Sequence, residues 1–209
     1  METMAAPVAV QRGLAPEEAA RGDFYALLAR MLHAAPDEAL LANLASAPAI
    51  PVDGNAVLAK AWQGWVDASS AMDAQAAAEE FELLFFGVGK AAVSVYAGFY
   101  GGAPATDHPR VRIQADLAAL GLGRHETASE PEDHYAGLLD VMRVLVAGGA
   151  GRSPAPLAEQ RRFFDRHLRP GLARFFREVG QSPHANYYRQ VAAFGAAFTA
   201  LESESFLLD

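Results

Sequence analysis

The chain has 209 residues, of which 52% are apolar and 20% charged, a balance that excludes a disordered protein and suits one globular domain. It contains no Cys, which excludes disulfides, Fe–S clusters, thiolate metal sites and cysteine nucleophiles. The formal charge of −8 argues against a dedicated nucleic-acid binder, because such proteins carry a basic surface.

Most of the chain shows the apolar spacing that is typical of helices. Residues 1–15 are expected to be a flexible arm, and the first helix opens at Pro16, since proline suits a first helical turn. No strand pattern and no internal repeat is found. The sequence therefore predicts an all-α fold, a single compact multi-helix domain of about nine helices over residues 16–209. The predicted helices cover 16–33, 36–44, 55–69, 73–86, 109–120, 130 or 131 to 147, 154–168, 171–179 and 183–203.

Residues 88–108 lack helical periodicity and contain four Gly and two Tyr. A loop of this length inside a domain is often functional. Two roles stay open for Tyr96, Gly98 and Tyr100: they line a groove for a peptide, or they anchor the loop to the core.

The run from Ser129 to His134 carries the most informative polar pattern. Ser129 and Glu132 have the spacing of a capping box, and acidic residues suit the first turn of a helix. Capping does not account for His134, whose cationic form is disfavoured at a helix N-terminus. Asp133 or Glu130 can pair with the imidazole and leave its second nitrogen for a polar ligand. The run is therefore either a structural cap or a functional polar site.

A metal site is another interpretation of this region. His125, Glu126, Glu130, Asp133 and His134 offer nitrogen and oxygen ligands, but their spacing matches neither an HExxH helix nor the paired Glu-x-x-His units of a di-iron bundle. A small metal-dependent enzyme is thus the alternative prediction. Because the chain also lacks a phosphate loop, a nucleophile elbow and triad spacing, the leading prediction is a protein that is not an enzyme and has no cofactor.

The charge distribution bears on partners and location. Residues 1–109 hold 5 Lys+Arg against 13 Asp+Glu, which suits either a cationic partner or a solvated surface tuned for solubility. The arginines of residues 161–177 alternate with apolar residues at helical spacing, so we expect a solvated face and no nucleic-acid contact. Without a basic segment before an apolar stretch, or an uncharged apolar run of about 18 residues, neither a signal peptide nor membrane insertion is expected.

Three segments, in this order, resemble the TorD/DmsD chaperones. The run EFELLFFG at 80–87, followed by Tyr96 and Tyr100, is similar to the family block E-Y-x-x-L-F-x-G … P-Y-E-S-x-Y. EPEDH at 130–134 resembles the E-x-P-D-H motif, and FDRHLRP at 164–170 followed by YYR at 187–189 is similar to the pattern F…HL-x-P-W…FY. The sequence departs from the family at Val95 and Ala97, where Pro and Glu are usual, and at Gly171, where Trp is usual.

The resemblance covers about residues 16–205 and implies a cytoplasmic, system-specific chaperone. It would bind the twin-arginine leader, the apo-form, or both, of a molybdopterin oxidoreductase catalytic subunit, and hold it from export until the cofactor is inserted. The oligomeric state stays open between a monomer and a dimer that exchanges segments. The client-binding residues that the resemblance implies are Glu130, Asp133, His134, Tyr96, Gly98, Tyr100, Phe85 and Gly87.

Overall fold

The computed structural model describes residues 14–52, 54–87, 91–100, 109–123, 130–149 and 151–208. This part of the chain contains ten α-helices and no strand, which confirms the predicted all-α fold. The helix beyond the predicted set is the four-residue α5, which lies inside the predicted loop. The helices are α1 (Pro16–His33), α2 (Glu38–Ala45), α3 (Ala56–Ala71), α4 (Ala74–Phe81), α5 (Ala97–Tyr100), α6 (Pro109–Ala119), α7 (Tyr135–Ala147), α8 (Leu157–Phe163), α9 (Leu172–Gln181) and α10 (Tyr187–Leu208). All but two residues of the predicted N-terminal arm lie outside the described residues.

Short polar side chains begin three of the helices. Asp37, Asn55 and Asp73 precede α2, α3 and α4, and each side-chain oxygen accepts a hydrogen bond from the backbone N–H three residues later. These N-caps satisfy donors that a helix leaves unpaired at its start. Two helices continue beyond their α-helical part as π-helical turns, α4 through Glu82–Phe86 and α8 through Phe164–Leu168.

The start of α7 corrects the sequence prediction. The helix begins at Tyr135 rather than at residue 130 or 131, and its N-cap is His134, whose Nδ1 accepts a hydrogen bond of 3.1 Å from Ala136 N–H. Glu132 precedes the helix, so the predicted capping box is wrong for α7; Ser129 lies outside the described residues. The cause is long-range, because the backbone just before α7 bonds to residues 95–97 instead of entering the helix.

The start of α10 also lies later than predicted, at Tyr187 rather than 183. The buried carboxylate of Glu80 accepts hydrogen bonds of 2.7–3.0 Å from the backbone N–H groups of Asn186, Tyr187 and Tyr188. A side chain from α4 therefore caps α10 across 106 residues of sequence. Side-chain oxygens satisfy the first N–H groups of a helix wherever they come from in the chain.

The core lies where α10 meets α3 and α9 and where α1 meets α7. An aromatic cluster joins the core residues Trp62, Trp65, Phe194 and Phe198 to the partly buried Phe24, with ring centroids 5.1–6.2 Å apart. Such contacts add to the free energy gained by burying the rings.

The apolar residues between the arginines of α8 and α9 also belong to the core, which confirms the helical-face prediction for this run. They are Phe163, Phe164, Leu168, Leu172, Phe175 and Phe176.

Of the described helices, α10 alone is long and apolar enough to cross a membrane, but half of its most apolar stretch is buried inside the protein. It carries Glu202, which is 2% exposed and accepts hydrogen bonds from Arg21 and Tyr25. This helix therefore packs as a core helix.

Candidate functional site

The structure joins the two segments that the sequence singled out, the glycine- and tyrosine-containing loop and the polar run that ends at His134. Tyr96 and His134 form an isolated antiparallel β-bridge. Ala97 N–H donates to the carbonyl of Asp133 at 2.8 Å, and Tyr135 N–H donates to the carbonyl of Val95 at 2.9 Å. We call this pairing of residues 95–97 with 133–135 the backbone clasp. It fixes the N-terminus of α7 against the segment that leads into α5.

Side chains reinforce the clasp. The Tyr96 ring stands edge-on to the His134 ring with centroids 5.5 Å apart. Asp133, which is 6% exposed, places Oδ2 3.4 Å from Gly98 N and Oδ1 3.8 Å from Arg110 Nε. A Cβ at Gly98 would lie 2.9 Å from Oδ2, so the close approach of this carboxylate requires glycine.

His134 is neutral at physiological pH. Burial lowers its pKa below the ordinary 6.5, and this outweighs the opposite effects of Glu130 and Asp133; the neighbouring His33 lowers the pKa further. Because Nδ1 accepts the cap bond from Ala136, the proton of the neutral ring belongs on Nε2. The ring therefore offers a hydrogen-bond donor without a positive charge.

A cavity of about 490 Å³ adjoins the clasp between α1, the end of α6 and α7. Most of its surface is apolar. The polar lining comprises His33, Arg30 and His134 together with the acids Glu130, Glu132 and Asp140. The apolar lining includes Ala26, Ala29, Leu117, Leu122, Pro131, Ala136, Leu138, Val141 and Val144.

The polar groups of this cavity are held in defined states. A hydrogen bond from Gln114 at 2.9 Å lowers the pKa of Glu132, with Arg110 acting in the same direction, so Glu132 is a carboxylate at neutral pH. Arg30 donates to the carbonyls of Ala34 and Ala35, just beyond the end of its own helix. Its guanidinium keeps its positive charge, and Asp140 is paired with Arg143 at 2.6 Å. The cavity therefore combines an apolar lining with three acidic side chains and one cationic one.

Residues 53–177, more than half of the chain, match the family model described as nitrate reductase delta subunit. The chain belongs to this family, the TorD/NarJ molybdoenzyme maturation chaperones. The resemblance seen in the sequence is thereby confirmed. A search of curated proteins found no match. The protein has a chaperone role in molybdoenzyme maturation, and its family acts on molybdoenzyme catalytic subunits.

The predicted site residues of the chaperone fall into three groups. Glu130 and His134 line the cavity. Asp133, Tyr96 and Gly98 form or adjoin the clasp.

The third group does not line the cavity. Phe85 is buried and packs on Phe81, Phe175 and Tyr188. Gly87 follows the π-helical turn of α4 with a φ of 58°. Tyr100 is buried and donates to the carbonyl of Ser94 at 2.9 Å.

Several cavity residues of the chaperone were not singled out from the sequence. His33 belongs to the last turn of α1, and Leu117 and Leu122 belong to α6 and the turn after it. Val141 and Val144 lie outside the buried stripe of α7. This second apolar face is the feature of the sequence that could have indicated the cavity. A helix with apolar residues on two faces has two surfaces to cover, one in the core and one elsewhere.

The metal-enzyme alternative receives no support from the described residues. No three His, Asp or Glu side chains in this part of the chaperone are grouped so that they could hold a metal ion. His125 and Glu126, which the alternative uses, lie outside the described residues.

Proposed function

We propose that this chaperone binds the twin-arginine leader of an apo-molybdopterin oxidoreductase catalytic subunit. It acts in the cytoplasm, catalyses no reaction, and holds the subunit from export until the cofactor is inserted. One observation carries the proposal: the apolar cavity beside the clasp has Glu130, Glu132 and Asp140 in its lining. A twin-arginine leader presents the complementary pattern, with cationic residues followed by an apolar stretch.

The binding chemistry follows from this complementarity. Arginine forms paired, charge-assisted hydrogen bonds with carboxylates. The cavity volume of about 490 Å³ lies within the usual range for ligand pockets, so it suits a few apolar side chains rather than a whole leader. Neutral His134 adds no repulsion toward a cationic peptide and offers its Nε2–H to a peptide carbonyl.

The other predicted residues act less directly in this proposal. Asp133, Gly98 and Tyr96 position Glu130 and His134 through the clasp. Phe85, Gly87 and Tyr100 support the segment that carries the clasp, because their contacts are with the protein core and with neighbouring backbone. Substitutions in this last group should lower stability as well as binding.

The first experiment is affinity capture of the tagged full-length chaperone from its host under respiratory growth, followed by mass spectrometry. The expected partner is a molybdoenzyme catalytic subunit with an uncleaved twin-arginine leader. A fluorescent peptide of that leader, and its twin-lysine counterpart, would then be titrated by anisotropy. We expect a Kd between about micromolar and nanomolar for the arginine peptide, because a holding chaperone must also release its client.

The matched variants are Glu130→Gln, which alters the cavity, and Asp67→Asn, which removes a charge from an exposed face of α3. We expect Glu130→Gln to weaken binding about tenfold, since a hydrogen bond to a charged group contributes about 1.5 kcal/mol or more. Asp67→Asn should bind as the unchanged protein does. Capture of a catalytic subunit that lacks a leader would contradict leader recognition. The chaperone would then bind the folded or unfolded body of the enzyme instead.

A further inference from the structure

α6 is a wall of the cavity with little anchorage in the core. Among its eleven residues, only Ile113 is buried, whereas α7 buries seven of thirteen. Yet Leu117 of α6 lines the cavity, together with Leu122 and Gly123 just beyond the helix. The other two walls, α1 and α7, pack closely: a Cβ at Gly22 would lie 2.9 Å from the Cβ of Ala147. Of the three walls, α6 can therefore move with the smallest loss of buried apolar contacts.

Polar contacts hold α6 in place instead. Asp116 Oδ2 lies 2.6 Å from Nε2 of His167, and its Oδ1 accepts from Arg166 at 3.1 Å, so one carboxylate ties α6 to the π-helical turn of α8. Gln114 bonds Glu132 at 2.9 Å, and Arg152 donates to the carbonyl of Leu120 at 2.6 Å.

Asp116 makes the most protected of these contacts. The side chain of His167 is 3% exposed, so water competes little for this hydrogen bond. Arg110, which reaches Glu132 from α6, is 54% exposed, and ion pairs of exposed residues contribute little to stability. The contact between Asp116 and His167 therefore restrains α6 more firmly than the pair of Arg110 and Glu132 does.

We propose that α6 is a displaceable wall of the cavity and that Asp116 is the positioning residue that holds this wall against the π-helical turn of α8. The ligand is the leader segment of the proposed function, on which this inference rests. The cavity of about 490 Å³ takes a few apolar side chains, so a longer apolar stretch is buried there only if one wall withdraws. Displacing α6 breaks polar contacts that water can replace and exposes few apolar side chains, whereas separating α1 from α7 opens the core.

Hydrogen exchange of the free protein tests the restraint without any ligand. The variant is Asp116→Ala, and the control is Asp165→Ala, whose carboxylate bonds Arg169 within the same stretch of helix and does not touch α6. Asp116→Ala should speed exchange in residues 110–119 about fivefold or more, and exchange in α1 and α7 should not change. Asp165→Ala should leave 110–119 unchanged. Equal exchange of 110–119 in Asp116→Ala and the unchanged protein would overturn the restraint.

Cross-linking tests the movement. The chain lacks Cys, so the pair Asp116→Cys/Arg166→Cys supplies the two thiols for a short, reductively cleavable bismaleimide. The same variant with both thiols capped by N-ethylmaleimide is the control. Association of a fluorescent twin-arginine leader peptide should slow at least tenfold in the cross-linked protein and recover when the linker is cleaved.

The outcomes separate the two proposals. Equal association rates in the cross-linked and capped proteins, with normal binding to the unchanged protein, overturn the displaceable wall alone. Failure of the unchanged protein to bind the leader peptide overturns the proposed function. In that case the exchange measurement still decides whether Asp116 restrains α6.

Discussion

Two carboxylates of similar burial, Glu80 in the core and Asp133 at the clasp, are held in different ways. Glu80 is 7% exposed and accepts three backbone hydrogen bonds of 2.7–3.0 Å. Asp133 is 6% exposed, but its contacts with Gly98 and Arg110 are 3.4 and 3.8 Å long. A carboxylate with short bonds to fixed backbone anchors the fold. A carboxylate with long contacts can change its position when a ligand binds.

The largest effect should come from breaking the anchor. Glu80→Ala leaves three N–H groups at the start of α10 without their acceptor, and we expect it to lower the free energy of unfolding by about 3–5 kcal/mol. Urea denaturation measures the change. Glu79→Ala is the control, because Glu79 is exposed and accepts a hydrogen bond from exposed Gln75 of the same helix, and its effect should stay within about 0.5 kcal/mol. Similar midpoints for the two variants would contradict the anchoring role.

The next effect concerns the packing beneath the clasp. A Cβ at Gly171 would lie 2.5 Å from both Tyr100 Cβ and Tyr135 Oη, so Gly171→Ala must shift one of these side chains. We expect a loss of about 1–3 kcal/mol, the usual result of overpacking. Gly180→Ala lies inside α9, the helix that Gly171 precedes; its Cβ meets its nearest atom at 3.8 Å, and the change should be neutral or stabilising. Thermal unfolding of the pair provides the comparison, and equal losses would argue against the close approach at Gly171.

A smaller effect should appear in the pH dependence of stability. Burial lowers the pKa of both His134 and His167 below 6.5, so just below that pH the unfolded chain binds more protons than the folded one. Stability is therefore complete above about pH 6.5 and declines as the pH falls through that value toward the folded-state pKa values. Urea midpoints at pH 7.5 and 5.5 measure the decline.

His134→Asn should make this decline shallower, since asparagine still accepts the N-cap bond but does not titrate in this range. His184→Asn, at an exposed position, is the control and should leave the pH profile as it was. A profile of His134→Asn as steep as that of the unchanged protein would mean that His134 does not contribute to it.

The smallest change in stability should follow Asp133→Asn, which keeps the shape of the side chain and removes its charge. Because its contacts are long, we expect a change in the free energy of unfolding below about 1 kcal/mol. The free energy of binding the leader peptide should change by more than the free energy of unfolding does, since the clasp positions Glu130 and His134. A loss of stability comparable to that of Glu80→Ala would remove the distinction between the two carboxylates.

Local patterns in the sequence predicted what depends on near neighbours. The apolar stripe of α7, with Leu138, Leu139 and Met142, is buried as its spacing indicates. The same kind of spacing correctly predicted that Phe163 and Phe175 face the core and that their neighbouring arginines do not. The motifs also sufficed to place the chain in its family. Such features are predictable because helical periodicity and motif spacing are properties of a few consecutive residues.

The tertiary structure decided what depends on distant partners. No local rule places the start of α7 at Tyr135, because the residues before it pair with 95–97. No local rule makes Glu80 the cap of α10, or brings His33, Leu117 and Val144 to one cavity. By itself, therefore, the sequence predicted nine of the ten described helices, the apolar faces that form the core, and the family of this protein. The packing of helices decided the helix starts and the cavity, because those features are formed by groups that meet only when the chain is folded.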